Sequence, residues 1–149
     1  MEEGIVMGHL LSAEGIRMDP AKIKVILHFL MPKTPTQVRS FIGCAGYYRR
    51  FIENFAKVAH PLFQLLTKDA YFVWKDDCDV AFMKIKELVC SAPILRGLDW
   101  ALPFHIHMDA SQTAVGSVLG HQQDMGPYKV YYVSKNLAPT ELNYTMIEK

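Results

Sequence analysis

One amphipathic stretch, Thr34 to Ile52, constrains the fold of this chain more than any other segment. Thr34 is a favourable N-cap, Pro35 suits the first helical position, and Gln37 completes a Thr-x-x-Gln capping box. Apolar side chains then recur at helical spacing: Val38, Phe41, Ile42, Ala45, Tyr48 and Phe51. The pattern predicts a helix from Thr34 to Ile52 that buries one side in a core.

A second stripe on the same stretch combines two cations, an aromatic ring and a glycine: Arg39, Gly43, Tyr47 and Arg50. Glycine inside a helix costs about 1 kcal/mol relative to alanine, so Gly43 needs a reason. One interpretation is that Gly43 only lets two helices pack closely. The other is that a nucleic acid approaches the helix here, since basic and aromatic neighbours are typical of such a surface.

The charge is unevenly distributed along the 149 residues, although the net charge is only +1. From Arg17 to Lys68 there are nine lysines and arginines against two acids, Asp19 and Glu53. Such a basic part suits contact with phosphates on one side, and it is equally compatible with a solvated positive face that binds nothing.

The three cysteines, Cys44, Cys78 and Cys90, are widely spaced and form no Cys-x-x-Cys pair. We therefore expect buried thiols in a reducing, intracellular compartment rather than disulfides or a zinc ribbon. The sequence contains no apolar run of membrane-spanning length and no signal-peptide pattern. It predicts no membrane partner.

The remaining pattern predicts an α+β fold. A strand is expected from Ile5 to Leu11, with a turn after it, and Asp19-Pro20 caps a first helix. Helices are also expected over Asn54–Thr67 and Asp76–Cys90, the latter with acids in its first turn. After Trp100 the apolar period changes from 3.6 to two.

This change of period predicts three consecutive antiparallel strands and then the start of a helix. Phe104, Ile106 and Met108 alternate with His105, His107 and Asp109 on the first strand. Residues 114–121 and 128–134 are the second and third strands. His105, His107 and Asp109 share one face and are of zinc-binding types, but the sequence offers no further ligand at motif spacing. We favour exposed strand histidines over a zinc site.

Six segments together resemble, in order, the pol polyprotein of a gypsy-type LTR retrotransposon: MGHLLSAEGI, RSFIGCAGYYRRFI, AHPLFQLL, SAPIL, MDAS and YVSKNLAPTELNY. The resemblance implies the end of a reverse transcriptase followed by a truncated RNase H-like domain. It divides the chain into a primer-grip-like hairpin (1–16), a small helical thumb-like bundle (17–68), a linker strand and helix (69–100) and the RNase H-like part (101–149).

The resemblance also implies a nucleic-acid surface. Its thumb helix tracks the minor groove of an RNA–DNA hybrid or template–primer duplex, with Arg39, Gly43 and Tyr47 facing the nucleic acid and Arg50 continuing the stripe. Met7-Gly8-His9 matches the primer grip, which holds the 3′ end of the primer.

For catalysis, the resemblance identifies Asp109 as the first metal-binding aspartate of an RNase H. That chemistry needs several carboxylates around two Mg²⁺ ions about 4 Å apart, and one carboxylate holds Mg²⁺ only weakly. Glu148 matches the first glutamate of a Glu-x-Glu pattern whose second member is the ligand and would follow Lys149. Two residues along a helix turn about 200°, so we expect Glu148 to point away from Asp109.

We therefore expect Mg²⁺ as the cofactor of the complete enzyme, no stably bound metal in this chain alone, and neither polymerisation nor ribonuclease activity from it. The other expected partner is the rest of the pol polyprotein, in a cytoplasmic virus-like particle or the nucleus. Two alternatives remain open: a degenerate RNase H-like connection domain that only tethers its neighbours, and a host-adopted protein-interaction module without catalysis.

Overall fold

The computed structural model describes residues 3–97, 99–123 and 126–138. Within these ranges the chain forms two three-stranded antiparallel sheets and four α-helices, which confirms the α+β class. The elements are β1 (Gly4–Val6), β2 (His9–Ser12), β3 (Gly15–Met18), α1 (Pro20–Leu27), α2 (Pro35–Gly46), α3 (Phe55–Gln64), α4 (Asp76–Cys90), β4 (Phe104–Ala110), β5 (Ala114–Gln123) and β6 (Gly126–Asn136). The helix start expected after the third strand, and Glu148 with it, lie outside the described residues.

The first sheet has the strand order β1-β2-β3, and its strands are joined by tight turns. The expectation of one strand from Ile5 to Leu11 was wrong, because the chain reverses at Met7 and Gly8. Both residues have positive φ, 49° and 74°, as a two-residue hairpin turn requires. Apolar residues lie on both sides of this turn and Met7 within it is apolar too, which is why the pattern did not reveal the reversal.

Helix α2 begins as predicted but ends earlier. The Thr34 hydroxyl accepts a hydrogen bond from the Gln37 N–H at 3.2 Å, while the Gln37 side chain accepts from the Lys33 N–H at 2.7 Å. The α-helix ends at Gly46 instead of continuing to Ile52, and a 3-10 turn covers Arg49–Phe51. Side chains three residues apart eclipse in 3-10 geometry, and Tyr48 and Phe51 are both buried there.

Helix α4 has the predicted bounds, with three aspartates in its first turn. It packs mainly on α3 and also contacts α1. Lys86 of α4 reaches the C-terminal end of α1, where its ammonium donates to the carbonyls of Leu27 and Phe29 at 3.0 and 2.7 Å. Burial lowers the pKa of Lys86 from its ordinary value. This side chain therefore satisfies carbonyls that the short α1 helix leaves without intrahelical partners.

The second sheet has the order β4-β5-β6, so β5 is central and Asp109 pairs with Gly116. One face of this sheet packs against α3, and Tyr132 of β6 joins the same core as the helices. The largest fully buried side chains of that core are Phe41, Phe51 and Phe55. The helical region and the second sheet thus share one hydrophobic core.

None of the helices in the described ranges combines the length and the apolar character needed to cross a membrane.

Candidate nucleic-acid interface

The two faces of α2 divide as the sequence pattern predicts. Val38, Phe41, Ile42 and Ala45 are buried, whereas Arg39, Gly43 and Tyr47 are all exposed. We call these last three residues the exposed stripe. Its members lie four residues apart, on adjacent turns of one helix.

Gly43 has no packing role within the part of the chain that the structure describes. Apart from its chain neighbours and the backbone of its own helix, a Cβ placed on it would find no described atom within 4 Å, so the neighbouring helices do not need its small size. The first interpretation of this glycine, close packing of two helices, is therefore wrong for the helices in the described ranges. What remains is an open notch between a cation and an aromatic ring, on the solvent side of the helix.

The predicted continuation of the stripe to Arg50 is also wrong, because α2 ends before this residue. Its guanidinium lies over the ring of Tyr131 in β6, 4.7 Å from the ring centre. Neighbouring Arg49 donates to the carbonyl and hydroxyl oxygens of Ser134, and its guanidinium lies 5.3 Å from the ring centre of Phe55. Both arginines join the 3-10 turn to the second sheet.

The structure brings the hairpin turn directly against the end of α2. The Tyr47 hydroxyl donates to the Met7 carbonyl at 2.7 Å, and the Tyr48 hydroxyl donates to the Gly8 carbonyl at 2.7 Å. The Met7 side chain remains 82% exposed beside the half-exposed Tyr47 ring. Met7, Gly8 and the exposed stripe therefore form one continuous surface from two distant parts of the sequence.

His9 supports this surface rather than forming its outer part. Its half-buried ring contacts three aromatic rings, those of Tyr47, Tyr48 and Phe51, with centroid distances of 5.5 to 5.8 Å. Its Nδ1 lies 3.0 Å from the Met7 carbonyl oxygen. The Nε2 atom is buried without a hydrogen-bond partner among the described residues.

Tyr48 is the residue of this site that sequence reasoning missed, because its apolar spacing placed it in the core stripe. It is indeed buried, with 2% of its surface exposed, yet its hydroxyl reaches the hairpin. Burial, together with the negative charge of Asp19, raises the pKa of Tyr48 to about 12. Two adjacent tyrosines at a helix end were the available signal, since side chains one residue apart point to different sides.

A cleft of about 360 Å³ opens beside this surface, between the hairpin turn, α1 and α2. Lys22 and Val25 of α1 line one side of the cleft. Cys44, Tyr47 and Tyr48 line the other side.

The expectation of buried thiols was wrong for two of the three cysteines. Cys44 and Cys90 are exposed, while Cys78 is buried. None of the three cysteines is joined to another in the structure.

Asp109 lies well apart in sequence and on the other sheet, near the end of the edge strand β4. Its side chain is exposed and makes no ion pair with any residue in the described ranges. It lines a shallow depression of about 100 Å³ together with Glu53, Asn54 and His107. Glu53 and Asn54 precede α3, so sequence spacing did not associate them with Asp109.

These residues do not fit a two-magnesium centre. Among the described residues, no group of three or more histidines, cysteines, aspartates and glutamates is placed to hold a metal ion. Of the residues that the structure describes, Asp109 and Glu53 are the only carboxylates lining the depression, and two-metal catalysis needs more carboxylate oxygens than they supply. We therefore derive no catalytic step at this position. His105 and His107 are exposed, in keeping with strand histidines.

The sequence and the fold are similar to those of known proteins. The model of the RNase H-like domain found in reverse transcriptase matches residues 74–149. The retrovirus-related Pol polyprotein from transposon 297 of Drosophila melanogaster is 35% identical over 149 residues, which are 99% of this chain and 14% of that protein. The Pol polyprotein of feline endogenous virus ECE1 is 39% identical over 136 residues, 89% of this chain and 13% of that protein. This chain thus spans about a seventh of the length of such relatives.

Two solved structures share the fold. The foamy viral protease-reverse transcriptase dRH in complex with double-stranded DNA has a TM-score of 0.82 at 21% identity, covering 100% of this chain and 26% of that one. The foamy viral protease-reverse transcriptase in complex with RNA/DNA hybrid has a TM-score of 0.80 at 20% identity. That match covers 97% of this chain and 20% of the viral one. The predicted resemblance to a retrotransposon pol polyprotein is confirmed, and the chain belongs to the family of RNase H-like domains found in reverse transcriptases.

Proposed function

We propose that this chain is a duplex-holding part of a retrotransposon reverse transcriptase. It binds template–primer or RNA–DNA hybrid through the exposed stripe and through the turn at Met7 and Gly8. Residues 17–68 act as the thumb, 1–16 as the primer grip, 69–100 as the linker and 101–149 as the RNase H-like part. The observation that carries the proposal is the open notch at Gly43, since a helical glycine without an internal neighbour suits close approach from outside.

Three further features support this surface as a duplex contact. Arg39 supplies an exposed cation for a phosphate, and the exposed part of the Tyr47 ring supplies a flat apolar contact for sugars or base edges. The Met7–Gly8 turn adjoins the same surface through its bond to Tyr47. In addition, the foamy viral enzymes with this fold are described in complex with double-stranded DNA and with RNA/DNA hybrid.

The test is the affinity of the purified chain for a labelled RNA–DNA hybrid, measured by fluorescence anisotropy over a series of salt concentrations. Arg39→Ala should weaken binding and reduce the slope of log affinity against log salt by about one unit, as expected for one lost phosphate contact. Tyr47→Ala should weaken binding with the slope unchanged. Lys68→Ala, which removes an exposed cation after α3, is the control and should leave affinity near that of the parent. Equal affinities for the parent and both stripe variants at every salt concentration would refute the proposal.

We also propose that this chain alone is catalytically incomplete and that Asp109 functions only in the whole polyprotein, which copies RNA into DNA and hydrolyses the RNA of hybrids with Mg²⁺. The small set of carboxylates near Asp109 supports this. The alternative of a non-catalytic tether would be favoured by an Asp109 buried in an ion pair. Asp109 is instead exposed and unpaired among the described residues, so we keep the tether as an outcome of the cleavage test in the Discussion.

A further inference from the structure

We propose that Tyr48 is a positioning residue that, with the hydroxyl of Tyr47, holds the Met7–Gly8 turn against α2, so that hairpin and helix meet a duplex as one preset surface. This inference rests on the proposed function, because it assigns how that binding surface is held in shape. Tyr48 itself touches no nucleic acid in this arrangement, since only 2% of its surface is exposed.

The turn needs support from outside the hairpin. Met7 has a φ of 49°, a region that asparagine, aspartate and glycine tolerate far better than methionine. Strand β1 contributes only three residue pairs, and each of its residues is exposed. A short exposed strand with an unfavourable turn residue does not hold a hairpin in one conformation by itself.

The two tyrosines supply that support at the turn itself. Each hydroxyl donates to one of the two turn carbonyls at 2.7 Å, and the Gly8 carbonyl also accepts from the Asp19 N–H at 3.2 Å. A Cβ on Gly8 would lie 3.0 Å from the Tyr48 hydroxyl oxygen, which is a tight contact, and the positive φ of Gly8 independently favours glycine at this position. Donation to these carbonyls also offsets their negative partial charge, which would otherwise oppose an approaching phosphate.

The two tyrosines have different additional roles. The Tyr48 ring is buried among aromatic neighbours, with its centroid 5.5 Å from that of His9 and 6.2 Å from that of Phe51. The Tyr47 ring is 54% exposed and belongs to the exposed stripe. Removing the Tyr48 hydroxyl therefore tests positioning alone, whereas shortening Tyr47 to alanine removes a positioning bond and a direct contact together.

The experiment compares Tyr48→Phe with the parent chain in two measurements, hydrogen–deuterium exchange and affinity for an RNA–DNA hybrid. Loss of one neutral hydrogen bond, about 0.5–1.5 kcal/mol, should raise exchange of the hairpin amides about two- to tenfold, with exchange in β4–β6 unchanged. Affinity should fall by a similar factor at an unchanged salt slope, because no phosphate contact is lost. Tyr132→Phe, at a buried tyrosine of β6, is the control and should leave the hairpin as in the parent.

A rescue variant separates positioning from a general effect on stability. Asparagine tolerates the left-handed turn conformation, so Met7→Asn added to Tyr48→Phe should restore both the hairpin protection and much of the affinity. Met7→Asn alone measures what the methionine side chain contributes directly. The positioning role is overturned if Tyr48→Phe leaves hairpin exchange unchanged, or if affinity falls and Met7→Asn restores none of it. If the parent binds no hybrid, the proposed function fails, whereas the exchange data alone decide whether Tyr48 positions the turn.

Discussion

Substitutions at Gly43 should separate folding stability from duplex binding. Because a Cβ at this position would meet no described atom within 4 Å beyond its chain neighbours and its own helix backbone, alanine fits without displacing anything. Its lower backbone entropy in the unfolded chain should then stabilise the helix by about 0.5–1 kcal/mol. For a chain of this size that corresponds to a rise in Tm of about 1–4 °C. Leucine is nearly as good a helix former, so Gly43→Leu should also be at least as stable as the parent.

Binding should change in the opposite direction. If a duplex lies in the notch at Gly43, an added side chain overpacks the contact, and overpacking costs about 1–3 kcal/mol. This corresponds to a loss of affinity of roughly five- to 150-fold for leucine, with a smaller loss for alanine. Urea unfolding and thermal melts give the stability, and fluorescence anisotropy with a labelled RNA–DNA hybrid gives the affinity.

Gly46→Ala is the matched control, since Gly46 lies in the same helix but on the side towards α3. A Cβ there would lie 3.9 Å from the Phe55 ring, an ordinary contact, so the variant should fold and bind the hybrid as tightly as the parent. Two results would refute the reasoning about the notch. One is a clear loss of stability in Gly43→Ala, and the other is parental affinity in Gly43→Leu.

Three further predictions concern other parts of the molecule. The pKa of Tyr48 is raised from 10.0 to about 12, so the folded chain keeps this proton to a higher pH than the unfolded chain. The stability that this difference contributes is complete below pH 10 and is lost as the pH rises towards 12. Urea midpoints over this range should therefore fall less in Tyr48→Phe than in the parent, and an equal fall in both would contradict the assignment. Lys86→Met should lower the free energy of unfolding by about 1–3 kcal/mol, because two carbonyls at the end of α1 lose their charged donor, whereas Lys84→Met on the exposed side of the same helix should change it little. Finally, extending the chain through the rest of the RNase H-like domain should yield Mg²⁺-dependent cleavage of hybrid RNA that Asp109→Asn abolishes; an extended, folded protein that binds hybrid without cutting it would support the tether.

The sequence determined the local elements wherever one physical signal acted alone. Thr34 and Asp19 both cap helices as expected, because an N-cap bond involves only neighbouring residues. The alternation from Phe104 to Asp109 likewise corresponds to a strand, and the bounds of α4 agree with the pattern. The exposed stripe on α2 followed from the helical period.

Only the tertiary structure decided where the elements end and what they meet. The α-helix stops at Gly46, and Arg50 lies over the ring of Tyr131 in β6. These two residues are 81 positions apart in the sequence, and a helical period relates only near neighbours. The sequence allowed Gly43 to pack against another helix or to face a ligand, and only the positions of the surrounding atoms distinguished the two. Periodicity assigned Tyr48 to the core, and its bond to Gly8 depends on packing between segments 40 residues apart. The physical reason is the same in each case: capping and periodicity are set by adjacent residues, whereas the partners of a side chain depend on long-range packing that no local pattern specifies.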